Sequence, residues 1–146
     1  MSIKRIILGL FVVGVVGFAA IQLVPYGRDH ANPPVTGEPA WDSPATRAYA
    51  VTACFDCHSN QTVWPWYSNI APVSWLVQHD VDEGRDTLNW STWANLSHGE
   101  SEAAEAVSEG KMPPFNYLLM HPDARFSEAD KAAFIQGLIA TFGGGD

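Results

Sequence analysis

The two cysteines of this 146-residue chain fall in a single pentapeptide, Cys54-Phe55-Asp56-Cys57-His58. Thiols three positions apart sit about one helical turn from each other, so both can reach one flat partner lying along the helix. The next residue then carries an imidazole beneath that partner. This C-x-x-C-H order is the attachment pattern of a c-type haem, with two thioethers to the porphyrin and His58 as an iron ligand. A chain of this kind folds around its cofactor, which brings the redox chemistry while the protein tunes it.

Other uses of a C-x-x-C pair fit less well. A zinc site needs further ligands at zinc spacing, and no second cysteine pair exists. A thioredoxin-like dithiol needs a βαβ context, and no convincing alternating strands lie nearby. A disulfide closing so small a loop adds little stability.

The N-terminus bears on compartment. Lys4 and Arg5 precede an uncharged run from Ile6 to Val24, interrupted only by Gln22. Nineteen residues of helix span about 28 Å, close to the hydrocarbon thickness of a bilayer. The positive-inside rule puts Lys4 and Arg5 in the cytoplasm and the chain after Pro25 outside, on the periplasmic face of a bacterial inner membrane. A cleaved signal peptide is the alternative, with Gly17-Phe18-Ala19 as a cut site, but the apolar run continues past it. Either way the thiol motif is exported, as c-type attachment in bacteria requires.

Residues 1–24 thus read as an anchor, or a signal peptide, and leave one small domain of about 100 residues after a linker. Past Pro25 lie sixteen acidic and six basic residues, a formal charge of −10. Such a surface excludes nucleic acid and docking onto anionic lipid. It suits redox proteins with a basic docking patch, such as a respiratory or photosynthetic membrane complex.

Residues 25–42 form a Pro/Gly-rich linker without apolar period, able to reach roughly 55 Å if extended. Residues 43–146 read as an all-α haem domain. Ser43-Pro44 marks the N-terminus of a helix running to about Cys57. After an irregular aromatic stretch, Pro72 opens a second helix with Val73, Leu76, Val77 and Val81 at helical spacing. Ser97-His98-Gly99-Glu100 reads as a capping box for a short helix that stops at Gly110. Ser127 and Asp130 start the last helix, which is expected to bury Phe134, Ile135, Leu138, Ile139 and Phe142 before the glycines from Gly143 on.

The sixth iron position decides function. Met112, in Gly110-Lys111-Met112-Pro113-Pro114 and 54 residues after His58, is the leading candidate. A residue before proline is pushed out of helical geometry, and the two prolines stiffen the chain beyond it. His121 precedes Pro122 and is the runner-up on the same ground. His79 and His98 read as solvated or capping residues, and His30 belongs to the linker.

These stretches also carry a resemblance. The run CFDCHSNQTVWPWYSNIAPVSW (Cys54 to Trp75) is similar to the haem-binding domain family of bacterial single-haem, cytochrome c-like proteins. Asp82 to Arg85, Leu88 to Ser91, and Met112 through Tyr117 to Pro122 resemble it too, in order. The resemblance implies covalent haem c on Cys54 and Cys57, His58 as proximal ligand and Met112 as distal ligand. It implies a small cytochrome c-like helical fold behind one transmembrane helix. The aromatic insert Trp64 to Tyr67 departs from an ordinary small cytochrome c.

Trp64, Trp66 or Tyr67 can pack on the porphyrin or hydrogen-bond a propionate, or can close a small core as ordinary aromatics. Arg85 can pair a propionate or a neighbouring aspartate on its helix. Two functions are open to such a chain. One is a membrane-tethered electron carrier, not an enzyme, with both axial positions filled. The other is a domain with an open sixth position that binds a gas, senses it, or acts on peroxide.

Overall fold

The computed structural model describes residues 2–93 and 102–143. Among them are seven α-helices and no strand: α1 (Ile3–Ile21), α2 (Pro44–Ala53), α3 (Phe55–His58), α4 (Val73–Thr87), α5 (Glu102–Ser108), α6 (Phe115–Met120) and α7 (Glu128–Phe142). Short 3₁₀ turns occupy Trp66–Asn69 and Pro122–Ala124. The fold class is therefore all-α, with one N-terminal helix long and apolar enough to cross a membrane. The residues form two compact units, one made of the chain up to Ala31 with Trp64–Asp80, the other of Asn32–Val63 with the chain from Val81 on.

In the first unit, α1 ends at Ile21 rather than Val24. Pro25 disfavours helix in the residue before it, and the Gln22 side chain has another use. Its amide donates to the Ala71 carbonyl (2.9 Å) and accepts from the Ala71 N–H (3.0 Å), mimicking a backbone pair. Gly27, at φ +79, lies against the Ser74 backbone so closely that a Cβ would collide with it. His30 stacks on Trp64 at 4.5 Å between ring centroids and 11° between planes, and its Nε2 donates to the Ser68 carbonyl (3.1 Å). The segment expected to be a spacer is thus clamped at this end.

The second unit holds the rest of that segment equally well. The Asn32 side chain donates to the Thr62 carbonyl, and Thr36 and Gly37 donate through their N–H groups to the Ser91 carbonyl. Trp41 enters the aromatic core edge-on to Trp90, with ring centroids 5.1 Å apart. Each of these contacts fixes backbone that a random spacer would leave mobile.

The core of this unit is Ala50, Phe55, Leu88, Trp90, Val107, Phe134 and Leu138, flanked by Trp41, Tyr49 and Phe142. Each fully buried large side chain stabilises by about 1.5–3 kcal/mol. The Ser43 hydroxyl caps α2 by accepting from Thr46 N–H (3.2 Å), with Pro44 at the first helical position. Ser127 caps α7 by accepting from Asp130 N–H (3.1 Å), while Tyr49 donates to the Asp130 carboxylate (2.7 Å) and ties α2 to α7. Gly137 lets α7 approach α2, since a Cβ there would overlap the buried Thr46 side chain.

Several expectations need correction. The first helix of the domain does not run unbroken to Cys57. It stops at Ala53, and Cys54 leaves helical geometry (φ −132, ψ −32), so that α3 is a separate turn whose first residue, Phe55, is buried in the core. Of the apolar residues on α4, Val81 is buried, whereas Val73 and Leu76 are exposed. Ile139 on α7 is also exposed, because the buried face of α7 runs through Phe134, Gly137 and Leu138 instead. The capping box at 97–100 lies outside the described residues, but the predicted stop is seen. Gly110 takes φ +72, and the Ala106 carbonyl accepts from both Lys111 and Met112 N–H. Helix α6, which the proline-rich sequence around it concealed, begins directly after Pro114.

Candidate functional site

The break at Cys54 shapes the motif. Its carbonyl accepts from both Cys57 N–H (3.1 Å) and His58 N–H (2.8 Å), winding one tight turn that carries Cys57 and His58. Cys54 and Cys57 are thiols, not a disulfide. Burial, reinforced by Cys57, pushes the Cys54 thiol up to about 12, so it stays protonated. Gly84 of α4 lies against the Cys57 carbonyl with no room for a side chain.

His58 is oriented from behind. Its Nδ1 lies 3.0 Å from the Gly84 carbonyl and 3.1 Å from the Leu88 carbonyl. Carbonyls only accept, so Nδ1 must carry the proton and Nε2 presents a lone pair. Burial pushes the imidazole below its ordinary value, outweighing the two carbonyls that favour the cation. A neutral ring with its outer nitrogen deprotonated is the form that binds a metal, and hydrogen-bonded support of the other nitrogen fixes ring orientation.

The chain after His58 is fixed by a polar network that sequence reading missed. Asn60 N–H donates to Ser91 Oγ (2.9 Å), Asn89 Nδ2 to Asn60 Oδ1 (2.8 Å), and Ser91 N–H to Asn89 Oδ1 (3.0 Å). The Ser59 hydroxyl donates to the Phe55 carbonyl (2.7 Å), and Trp90 N–H to the His58 carbonyl (2.9 Å). Ser59, Asn60, Asn89 and Ser91 are all buried, so each bond replaces water the groups have lost. The signal was present in two stretches that carried the resemblance, Ser59-Asn60 and Asn89-Trp90-Ser91, but single residues gave no hint that they pair. Arg85 belongs to this frame as well. It donates to the Ser59 carbonyl (2.9 Å), Asn32 Oδ1 (2.8 Å) and Thr62 Oγ1 (3.0 Å), so its head bonds the loop after the motif.

Asp56, between the two cysteines, is the second residue that sequence reading passed over. Its carboxylate accepts from Val63 N–H (2.9 Å) on one oxygen and from the Tyr117 hydroxyl (2.8 Å) on the other. Burial first, and then the Asp56 charge and hydrogen bond, push the Tyr117 phenol well up, so it remains a donor. Tyr117 sits on α6, five residues after Met112, and so ties the stretch following Met112 to the thiol motif. Met112 itself lies in the turn between α5 and α6 with 39% of its surface exposed. His121 stacks on Tyr117 at 3.8 Å, its Nδ1 donates to the Tyr117 carbonyl (2.9 Å), and its Nε2 lies 3.8 Å from Asp56. Both its nitrogens are turned toward protein groups. Trp64, Trp66 and Tyr67 belong to the other unit, where Trp66 and Tyr67 meet edge to face and Trp66 is 74% exposed. His79 is exposed on α4, and His98 lies outside the described residues.

One further observation bears on a cofactor. Trp90 is buried, its ring centroid lies 6.3 Å from that of His58, and its indole Nε1 has no acceptor among the described residues. A buried donor without a partner destabilises by about 1–3 kcal/mol. Such a donor beside the imidazole is available to a polar acceptor on a bound group. Two thiols, a neutral imidazole with its outer nitrogen open and an orphan indole N–H fit a porphyrin with its carboxylates.

Fold and site together define a haem protein. The family model described as haem-binding domain matches residues 16–139, and the chain belongs to that family. Searches of curated proteins and of solved structures return no significant match.

Proposed function

We propose that the chain is a membrane-tethered monohaem c-type cytochrome that carries single electrons between membrane or periplasmic redox partners. The observation that carries this reading is the imidazole of His58, locked by two carbonyls in the metal-binding tautomer and placed one residue after two thiols. Cys54 and Cys57 would hold the haem covalently through thioethers. His58 is the proximal ligand and Met112 the distal one. Bound haem supplies reversible one-electron chemistry at its iron.

The stack of His121 on Tyr117 and the Asp56 carboxylate 3.8 Å from its Nε2 favour Met112 over the histidine, since the ring would have to leave both to reach iron. Methionine ligation raises the reduction potential relative to two histidines, which suits passage of electrons toward an oxidase or from a quinol-oxidising complex. The acidic residues after Pro25 suit a basic docking patch on that complex. With α1 as an uncleaved anchor in the bacterial inner membrane and Lys4 and Arg5 in the cytoplasm, the haem faces the periplasm. Tethering then raises the haem's effective concentration at membrane partners.

The exposure of Met112 favours one competing reading, a sixth position held weakly enough to admit a gas or peroxide. Optical spectra of the oxidised and reduced protein, with haem staining of a denaturing gel, test both. The carrier gives covalent stain, a low-spin spectrum and slow carbon monoxide binding. A stainless band overturns covalent attachment, and rapid carbon monoxide binding transfers the reading to the open site.

A further inference from the structure

Between Asp56 and Asp80 the chain has no Asp, Glu, Lys or Arg, although the residues after Pro25 carry a formal charge of −10. Much of this uncharged stretch, Trp64 onward, folds onto the end of α1. Gln22, the first residue beyond that helix, is paired through its amide with both backbone groups of Ala71. Gly27 meets the Ser74 backbone, and His30 stacks on Trp64. Those three ties hold residues 64–75 against the place where the chain leaves α1. The same unit exposes large apolar side chains there: Leu23, Tyr26, Trp66, Ile70 and Val73.

We propose that this unit is a membrane-interface collar, with Trp66, Ile70 and Val73 seated among lipid headgroups and upper acyl chains at the outer end of the anchor. The proposal rests on α1 being the membrane anchor of the proposed cytochrome. Past Lys4 and Arg5 the helix continues over residues 6–21, about 24 Å, so Gln22 stands near the outer edge of the hydrocarbon and Ala71 is one hydrogen bond away from it. Tryptophan and tyrosine favour that depth because their rings are apolar and their N–H and O–H groups reach the wet side. An acidic surface would be repelled from anionic lipid, and a charged one would resist seating at the hydrocarbon edge. The uncharged stretch avoids both penalties at the point where the fold pins it to the helix end. A second protein covering these residues would have to enter between Ala71 and the bilayer that Gln22 adjoins.

The test uses the full-length, haem-loaded protein in phosphatidylcholine vesicles that contain a phosphatidylcholine with a diazirine high on one acyl chain. After photolysis, adducts are mapped by peptide mass spectrometry, with α7 of the other unit as the reference. Adducts on both α1 and residues 64–76, and none on α7, support the collar. Adducts on α1 with residues 64–76 as clean as α7 overturn the collar and leave the anchor standing. Absence of adducts on α1 overturns the anchor reading and the collar with it. Residues 64–76 free of lipid adducts but joined to a second copy by a protein cross-linker overturn it in favour of a protein contact. In a Trp66→Glu, Ile70→Glu variant, both sites being exposed, the label on residues 64–76 is lost while α1 labelling and haem stain persist. Retention of the label in that variant also overturns the proposal.

Discussion

The surroundings of His58 and of Met112 are built on opposite plans. Behind His58, two carbonyls, a buried Asn–Asn–Ser network and the backbone of Gly84 leave the ring and its chain little choice. Met112 sits in an exposed turn whose tie to the motif runs through Tyr117 and Asp56. The contrast has a physical logic. A ligand held by many mutually supporting buried bonds keeps its geometry whether or not a metal is present. A ligand in an exposed turn takes its final geometry from the bond it makes. In the carrier reading, the first plan fixes where haem sits, and the second decides how tightly the remaining position is closed.

The strongest break in this comparison is removal of the attachment itself. In the proposed cytochrome, Cys54→Ala with Cys57→Ala should abolish covalent haem, read as loss of all haem stain on a denaturing gel, and should lower the thermal midpoint because the cofactor no longer stabilises the folded state. Next comes the His58 side. Asn89→Ala removes the donor to Asn60 and the acceptor for Ser91 N–H. Urea unfolding should show destabilisation of about 1–3 kcal/mol, the range for stranding buried polar groups. The Met112 side should respond in the opposite sense. Met112→Ala at a partly exposed position should change the stability of the haem-free protein by less than about 1 kcal/mol. In the haem-loaded protein it should convert a low-spin spectrum to a high-spin or water-bound one and admit carbon monoxide. If Met112→Ala proves as destabilising as Asn89→Ala in the apoprotein, the two-plan contrast fails.

The smallest effect is in acid. Arg47 holds the Glu38 carboxylate with two hydrogen bonds and keeps it below its ordinary value of 4.5, against the opposing pull of burial. A lowered carboxylate adds stability that is present above its unfolded value and is lost as pH falls through the folded one. Unfolding midpoints should therefore decline as pH drops from about 4.5 downward. Glu38→Gln should flatten that decline, and since Glu38 also accepts from Gln61, the flattening reports on the His58 side.

What the sequence revealed and what it hid divide along the range of the interactions. The starts of α2 and α7 were legible because Ser43-Pro44 and Ser127-x-x-Asp130 act within one turn. The C-x-x-C-H pattern could be read as an expectation of covalent haem because that chemistry dictates local spacing. The family also emerged from sequence, through motifs in order, and its model covers most of the chain. The break at Cys54 was not legible, because it answers to a core that Phe55 joins from several elements. The apparent linker misled for the same reason. Its glycines and prolines read as flexible, yet Gly27 exists for the backbone of Ser74 and Asn32 for the carbonyl of Thr62. Tyr117 stood inside a recognised stretch, but nothing local announced that its hydroxyl would reach Asp56 across 61 positions.

The double carbonyl clamp on His58 limits how far the motif can be moved. Grafted into the helix of an unrelated host, the pentapeptide would bring both thiols at the correct pitch but leave the imidazole to rotate and exchange tautomers. A working transplant must import a second helix end as well, with acceptors placed like those of Gly84 and Leu88, one turn apart. It must also import a glycine where the two chains touch, because any larger residue at position 84 meets the Cys57 carbonyl. The smallest portable part is a pair of crossing segments, about 30 positions apart in the chain.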